Sequence, residues 1–132
     1  MLTGSCCCGA IEFSLSETPA MLATCHCTRC REAGASNFFV VKAETFRWTR
    51  GEEYVSRYEP EEGYRYSRAF CSHCGTSFGD AGSNQESFAL SANALDDDPG
   101  LQNRFHEFVA EKPSWLPICD DAKRFETHPV KC

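Results

Sequence analysis

The segment Phe70-Cys71-Ser72-His73-Cys74-Gly75-Thr76 carries the strongest local structural signal in this chain. Two cysteines separated by two residues bind the same metal ion only when the backbone makes a tight turn between them. Gly75 follows directly, and glycine accepts the positive φ with which such a turn ends. The segment is typical of a zinc knuckle, so it predicts a metal site in the middle of the chain.

Two further groups of cysteines precede this knuckle. Seven of the ten cysteines fall into an N-terminal pair, a triple and the knuckle pair: Cys6 and Cys8; Cys25, Cys27 and Cys30; Cys71 and Cys74. In a strand, residues i and i+2 point to the same face, so the two cysteines of a C-x-C spacing can share a metal. A structural zinc takes four protein ligands, whereas a catalytic zinc takes three and leaves a position for water or substrate. Seven ligands therefore predict one closed zinc site and one open zinc site.

The spacing leaves open which cysteines complete the closed site. The knuckle pair needs a second pair of thiolates, and both the N-terminal pair and Cys25 with Cys27 have a suitable spacing. If the N-terminal pair completes it, the triple forms the open site, whose net charge of about −1 favours a substrate thiol over hydrolytic water. The alternative is a second structural zinc, whose fourth ligand comes from a remaining histidine or cysteine: His26, His73, His106, His128, Cys119 or Cys132. Otherwise we interpret Cys7, Cys119 and Cys132 as ordinary small apolar or exposed thiols.

Length and charge narrow the class of protein. A chain of 132 residues predicts one domain, residues 1–132. The net charge of −6 and the absence of a basic stripe argue against a nucleic-acid partner. The N-terminus lacks the features of a signal peptide, and no apolar run reaches the roughly 18 residues of a membrane span. We therefore expect a cytoplasmic protein without a membrane partner, whose clustered cysteines bind metal; a secreted disulfide scaffold is the alternative.

Hydrophobic periodicity predicts a mainly β fold. Apolar and polar residues alternate in six short segments, which lie at residues 11–15, 46–48, 54–58, 64–66, 88–90 and 105–108. The run Phe38-Phe39-Val40-Val41 is apolar on both faces, so we expect it at the centre of a sheet. Helical signal is limited to residues 28–33, ended by Gly34, and to a short piece before Phe105.

The three cysteine motifs together resemble those of the glutathione-dependent formaldehyde-activating enzyme family. The resemblance is carried by the order and spacing of three segments: Gly4-Ser5-Cys6-Cys7-Cys8-Gly9-Ala10-Ile11-Glu12-Phe13, Cys25-His26-Cys27-Thr28-Arg29-Cys30-Arg31 and Phe70-Cys71-Ser72-His73-Cys74-Gly75-Thr76. It continues through residues 91–97, 106–109, 113–115 and 124–126. Cys7 departs from the family pattern, which needs only the outer two cysteines of its first motif. The family also includes centromere protein V, but this chain lacks a basic extension that would support a role on chromatin.

This resemblance implies a zinc-binding β-sandwich of complex topology, built of antiparallel sheets with very little helix. It implies two zinc ions per chain: a structural one on Cys6, Cys8, Cys71 and Cys74, and a catalytic one on Cys25, Cys27 and Cys30. The implied reaction is of the carbon-sulfur lyase type, in which a small thiol, with glutathione as co-substrate, adds to formaldehyde or a related aldehyde. Because glutathione carries two carboxylates, we expect cations at its binding site; Arg29 and Arg31 flank Cys30 and are the candidates.

Two other functions are compatible with the sequence. The first is an interaction or adduct-carrier module with two structural zinc ions, which would bind a partner through an aromatic face formed by Tyr54, Tyr58, Tyr64 and Tyr66. We interpret these tyrosines instead as residues of core strands. The second is thiol redox chemistry at Cys71 and Cys74, which would require a metal-free pair at the start of a helix, and the surrounding residues do not favour this.

Overall fold

Two β-sheets form the framework of the protein, which a computed structural model describes over residues 1–129. In this part of the chain the strands and the single α-helix are, in order, β1 (Leu2–Ser5), β2 (Glu12–Leu15), β3 (Met21–Cys25), α1 (Thr28–Glu32), β4 (Asn37–Lys42), β5 (Phe46–Arg50), β6 (Val55–Tyr58), β7 (Arg68–Cys71), β8 (Ser77–Gly79), β9 (Ser87–Ser91), β10 (Asn103–Glu107) and β11 (Lys123–Arg124). Short 3₁₀ turns lie at Ala43–Thr45, Glu52–Tyr54, Ala92–Ala94 and Val109–Glu111. None of the helices in residues 1–129 is both long enough and apolar enough to span a membrane.

The strands are divided unequally between the two sheets. The small sheet has the order β1-β2-β5, and the large sheet has the order β11-β10-β3-β4-β9-β8-β7-β6. The prediction of a mainly β fold with very little helix is confirmed. One detail differs from an all-antiparallel arrangement, because β10 runs parallel to both β3 and β11. This parallel pairing places Glu107, at the end of β10, opposite Cys25 at the end of β3.

The hydrophobic core lies between the sheets and follows from the period-two pattern of the strands. Phe13 and Leu15 of β2 are at most 1% exposed, and they belong to the same buried cluster as Phe39 and Val41 of β4 and Leu90 of β9. Burying one such side chain contributes about 1.5–3 kcal/mol, so a few of them stabilise the contact between the sheets substantially. The core therefore uses one face of β4 and β9, and the other face of these strands is left free for a site.

Two local predictions are confirmed. Residues 38–41 lie in β4, which is paired on both sides with β3 and β9 and so is central in its sheet. The predicted helix is α1, whose last turn ends just before Gly34 with a φ of +70°. The short helix predicted before Phe105 is wrong, because residues 101–102 are irregular and β10 begins at Asn103.

The prediction that the four tyrosines belong to core strands is wrong for three of them, and Tyr58 lies in β6 but is 38% exposed. Tyr64 and Tyr66 lie in the loop between β6 and β7 and are 54% and 46% exposed, and Tyr54 lies in a 3₁₀ turn. The alternation of two aromatic residues is too short to define a strand, and the loop contains Gly63 with a φ of +93°. The predicted strand at residues 105–108 ends one residue early, since Phe108 has a left-handed backbone with a φ of +55°.

Candidate metal centre

Four thiols from two distant loops converge at the junction of the sheets. The N-terminal pair lies in the loop between β1 and β2 of the small sheet, and the knuckle pair lies at the end of β7 and in the loop that follows it. The Sγ atoms of all four cysteines lie within 4.8 Å of one another, which is the arrangement that a tetrahedral ion requires. This four-cysteine cluster (Cys6, Cys8, Cys71 and Cys74) therefore links the small sheet to the large sheet.

Backbone turns position these four thiols. The N–H of Gly9 donates to the carbonyl of Cys6 at 3.0 Å, and the N–H of Gly75 donates to the carbonyl of Cys71 at 2.8 Å. Both glycines have a positive φ, +78° and +79°, as expected for residues that leave a tight turn. Cys6 follows β1 and Cys8 lies within the turn, so the expectation that a strand holds this pair is wrong and a turn does so instead.

Backbone N–H groups point at two of these sulfurs, as they do in sites that hold thiolates. The N–H of Ile11 donates to Cys6 Sγ at 3.3 Å, and the N–H of His73 donates to Cys71 Sγ at 3.4 Å. Hydrogen bonds from the hydroxyl and the N–H of Thr76 lower the pKa of Cys74 to about 5. The Ala10 N–H works in the same direction at Cys8, but desolvation and the neighbouring thiols raise the pKa of Cys8 to about 12. One lowered and one raised pKa are expected when neighbouring thiols cannot all ionise unless a divalent cation is bound between them.

The second group of thiols surrounds the start of α1. Cys25 is the last residue of β3, Cys27 is the N-cap of α1, and Cys30 lies in its first turn. The three Sγ atoms lie within 4.8 Å of one another, and among residues 1–129 no further histidine, cysteine, aspartate or glutamate belongs to this group. The N–H of Cys30 donates to Cys27 Sγ at 3.2 Å, so the helix cap and the thiol cluster share one atom.

The electrostatics of this three-cysteine cluster (Cys25, Cys27 and Cys30) fit a cation. The thiols of Cys25 and Cys30 donate to the Cys27 sulfur and lower the pKa of Cys27 to about 2. The same contacts with Cys27 and Cys30, together with burial, raise the pKa of Cys25. The three thiols therefore do not ionise independently, and a divalent cation would ionise all three. The residues present therefore fit zinc, whose preferred ligands are thiolates.

Two charged residues beside this cluster were not found from the sequence. The guanidinium of Arg68 in β7 approaches Cys30 Sγ at 3.7 and 3.8 Å. Glu107 lies beside Cys25, and burial raises the pKa of its carboxyl. Strand alternation indicates that Arg68 faces away from Cys71, but nothing in the sequence indicates which element lies on that side. The register of β10 against β3, which places Glu107 opposite Cys25, is likewise set by the whole sheet and not by the local sequence.

Two hollows lie near this three-cysteine cluster, and Arg68 lines both of them. The inner cavity, which is partly open to solvent, has a volume of about 440 Å³, and its walls include Cys25, Cys30, Arg68 and Glu107. A more open cleft of about 780 Å³, here called the arginine cleft, lies on the other side of Arg68 and is lined also by Arg29 and Glu32. Of the two arginines expected to bind glutathione, Arg29 therefore lines a cleft beside the cluster, whereas Arg31 lines neither hollow.

Comparison with known proteins identifies the family. The family described as "Glutathione-dependent formaldehyde-activating enzyme" matches residues 1–111, which include all seven clustered cysteines. This chain belongs to that family. A curated relative from Halomonas elongata that is named for the same family is 30% identical over 128 residues, covering 89% of this chain and 81% of the relative. The fold is similar to the crystal structure of a Rhodobacter sphaeroides protein, with a TM-score of 0.61 and 27% identity over 74% of this chain and 90% of that one.

Among residues 1–129, none of the other candidate ligands belongs to the three-cysteine cluster of this family member. His128 packs on Phe108 with their ring centroids 4.7 Å apart. His26 points to the opposite face of β3 and is 3% exposed, and His73 packs on Tyr54 with their ring centroids 4.4 Å apart. Cys119 is exposed, and its pocket is lined by residues of that opposite face, including His26 and His106. Cys7 is exposed and does not belong to the four-cysteine cluster. Cys132 lies outside the described residues.

Behind the three-cysteine cluster, hydrogen bonds connect the buried side chains of His26 and His106 to the exposed carboxylate of Asp120. His106 Nε2 lies 2.9 Å from Asp120 Oδ1, and His106 Nδ1 lies 2.8 Å from His26 Nε2. A carboxylate only accepts, so His106 donates through Nε2 and accepts through Nδ1, and His26 then donates through Nε2. Burial lowers the pKa of His26, which keeps its imidazole neutral. Because His26 lies between Cys25 and Cys27, these hydrogen bonds hold in place the segment that carries two of the three thiols.

We expect the replacement His106→Ala to destabilise this family member. It removes the acceptor of the His26 Nε2–H, which is buried, and such an unsatisfied group costs about 1–3 kcal/mol. Urea unfolding of the zinc-loaded protein measures this loss. Asp121→Asn, a change to an exposed neighbouring carboxylate, is the control and should leave the free energy of unfolding unchanged. Equal stability of His106→Ala and wild type would show that the hydrogen-bond chain does not hold this segment.

Proposed function

We propose that the protein is a zinc-dependent enzyme of the carbon-sulfur lyase type, which binds a small thiol, glutathione, and adds it reversibly to formaldehyde or a related aldehyde. In this proposal Cys6, Cys8, Cys71 and Cys74 bind a structural zinc, and Cys25, Cys27 and Cys30 bind a catalytic zinc. The observation that carries it is the inequality of the two clusters. One has four thiols, and the other has three and opens onto a cavity. Membership of the family supports the choice of substrates.

The chemistry of the open cluster favours a thiol. A zinc ion bound there would supply a positive centre with one free position, at which a sulfur ligand is favoured and loses its proton. Three thiolates on a divalent ion leave a charge of about −1, which opposes the approach of a further anion. Arg68 contacts Cys30 Sγ and offsets this charge, so it makes the cluster more receptive to a thiolate.

Protein groups on the two sides of Arg68 have different tasks in this reaction. When the glutathione sulfur bonds to the aldehyde carbon, the electron pair of the carbonyl moves to its oxygen, which then takes a proton. Glu107 lines the inner cavity, and its raised pKa keeps its carboxyl protonated to a higher pH than that of an exposed glutamate. It is therefore placed to deliver that proton. Arg29 and Arg68 line the arginine cleft and offer cations to the carboxylates of glutathione, and Glu32 offers a partner for its ammonium.

The cellular setting and the extent of the domain are part of the proposal. All nine cysteines in residues 1–129 are free thiols, which supports the reducing conditions of the cytoplasm. We treat residues 1–132 as one domain, and this assignment stays a prediction.

Glutathione binding tests the proposed function. We expect the zinc-loaded full chain to bind glutathione in isothermal titration calorimetry, and Arg68→Met to weaken this binding by about tenfold, because a charged contact contributes about 1.5–3 kcal/mol. Arg47→Met, which changes an exposed arginine of β5, is the matched control and should bind as wild type does. Zinc content is measured in each variant, so that loss of metal is not mistaken for loss of binding.

Catalysis is measured in the same samples. We expect the protein to accelerate exchange between free glutathione and its formaldehyde adduct, followed by NMR exchange spectroscopy against the spontaneous rate. Binding of the adduct without acceleration would favour a carrier. Failure to bind glutathione with two zinc ions present would favour a structural module and would contradict the proposed function.

A further inference from the structure

The inner cavity continues into a groove that the reaction of formaldehyde does not use. A second hollow of about 550 Å³, here called the outer groove, shares Phe38, Tyr66, Asp80 and Ala89 with the inner cavity and extends past Val40. The two hollows therefore form a continuous passage that leads from Cys25 and Cys30 along the outer face of β4. Formaldehyde has no substituent that would occupy this passage.

The floor of the passage is apolar because of the strand alternation in β4 and β9. Phe39 and Val41 point into the core, so Phe38 and Val40 point to the opposite face. In the register of the two strands Val40 is paired with Ala89, which places their side chains side by side on that face. These three side chains are only partly buried by the protein itself. A hydrocarbon group lying over them would remove further apolar surface from water, which contributes about 25 cal/mol per Å².

Charged side chains line both the arginine cleft and the passage, but in different numbers. Glutathione is rich in carboxylates, and the arginine cleft offers Arg29 and Arg68. The inner cavity shares Arg68 with this cleft and adds two acidic side chains, those of Glu107 and Asp80. Asp80 is 5% exposed and is held in place by the hydroxyl of Ser67, which donates to its Oδ1 at 2.6 Å. The carboxylates of glutathione therefore find two cations in the arginine cleft, which leaves the passage available to an uncharged molecule.

We infer that the aldehyde substrate carries an apolar chain, whose carbonyl lies beside Cys25 and Cys30 while the chain lies over Phe38 and Val40. This inference rests on the proposed function and extends it from formaldehyde to longer aldehydes. The reaction is a simple addition: the thiol sulfur bonds to the carbonyl carbon, the carbonyl oxygen takes the proton, and no oxidant is required. Phe38, Val40 and Ala89 then determine the length of aldehyde that the protein accepts.

Competing aldehydes test this inference with the zinc-loaded full chain and glutathione. We expect kcat/KM to be higher for hexanal than for formaldehyde, with the spontaneous rate subtracted from each. Ala89→Leu narrows the passage and should lower the hexanal-to-formaldehyde ratio of kcat/KM by about tenfold. This is the smaller end of the change in kcat/KM that one methylene group of misfit causes in an apolar pocket. Val40→Phe narrows the passage from the neighbouring strand and should act in the same direction, which provides a second variant if Ala89→Leu does not fold.

Ser14→Leu is the matched control, since it adds the same kind of bulk to β2 of the small sheet, away from the passage. It should leave the ratio as in wild type. Acceleration with formaldehyde but not with hexanal, or a ratio unchanged in both passage variants, would overturn the inference and leave the proposed function intact. Acceleration with neither aldehyde would contradict both.

Discussion

Cys74→Ser is expected to leave the chain unfolded at ordinary temperature and to reduce its zinc content. The Cys74 side chain is exposed, so the replacement itself removes little packing. What it removes is one of the four clustered thiols, the proposed zinc ligands, which lie where a loop of the small sheet meets the end of β7 in the large sheet. Binding of a structural zinc contributes of the order of ten kcal/mol of folding free energy in small systems, which is comparable to the whole stability of a domain. Circular dichroism and zinc analysis of the purified chain measure both effects.

Cys7→Ser is the matched control for this experiment. Cys7 lies in the same loop as the N-terminal pair and is exposed, but it does not belong to the four-cysteine cluster. The same chemical change should therefore leave this variant folded, with close to two zinc ions per chain. A folded Cys74→Ser protein that retained both ions would refute the structural role of the cluster.

Cys27→Ser is expected to abolish glutathione binding while the protein stays folded. The serine removes one of the three thiolates, so the chain should retain about one zinc ion, at the four-cysteine cluster. Serine is also among the best N-cap residues, so it replaces Cys27 as the acceptor of the Cys30 N–H and preserves α1. We expect the rate of the catalysed exchange between glutathione and its formaldehyde adduct to fall by more than about 100-fold. Mutation of a residue that only hydrogen-bonds to a metal ligand already costs up to about 100-fold, and loss of a ligand itself should cost more.

The control here is Cys119→Ser, which changes an exposed thiol away from the three-cysteine cluster. It should bind glutathione and zinc as wild type does. If Cys27→Ser and Cys74→Ser damaged the fold equally, the division into a structural and a catalytic cluster would be wrong. Catalysis by a Cys27→Ser protein that holds one zinc would contradict the catalytic assignment alone.

The strand pattern could be predicted where burial on one face gave a clear signal. Phe13 and Leu15 in β2, and Phe88 and Leu90 in β9, alternate with more exposed residues and form part of the core, as predicted. Tyr64 and Tyr66 show the same spacing and lie in an exposed loop. The difference is that a strand needs a partner with which to pair, and two alternating residues contain no information about the partner.

The neighbours of the three-cysteine cluster could not be predicted. Arg68 is separated from Cys30 by 38 residues, and Glu107 meets Cys25 only because β10 lies parallel to β3. Strand order in the large sheet does not follow chain order, since β10 lies between β11 and β3. Sequence separation therefore carries little information about which charged residue faces which thiol.

By itself, the sequence determined the composition and spacing of the cysteine motifs, the mainly β pattern and the resemblance to the family. These are local properties, because the distance between two nearby thiols depends on a few backbone angles, and a period of two depends on the geometry of one strand. Only the tertiary structure decided that the N-terminal pair meets the knuckle pair and that Arg68 and Glu107 lie beside the three remaining thiols. It also decided that a passage with an apolar floor leads away from these thiols. These contacts join residues that are distant in sequence, and the free energy of packing two whole sheets decides them.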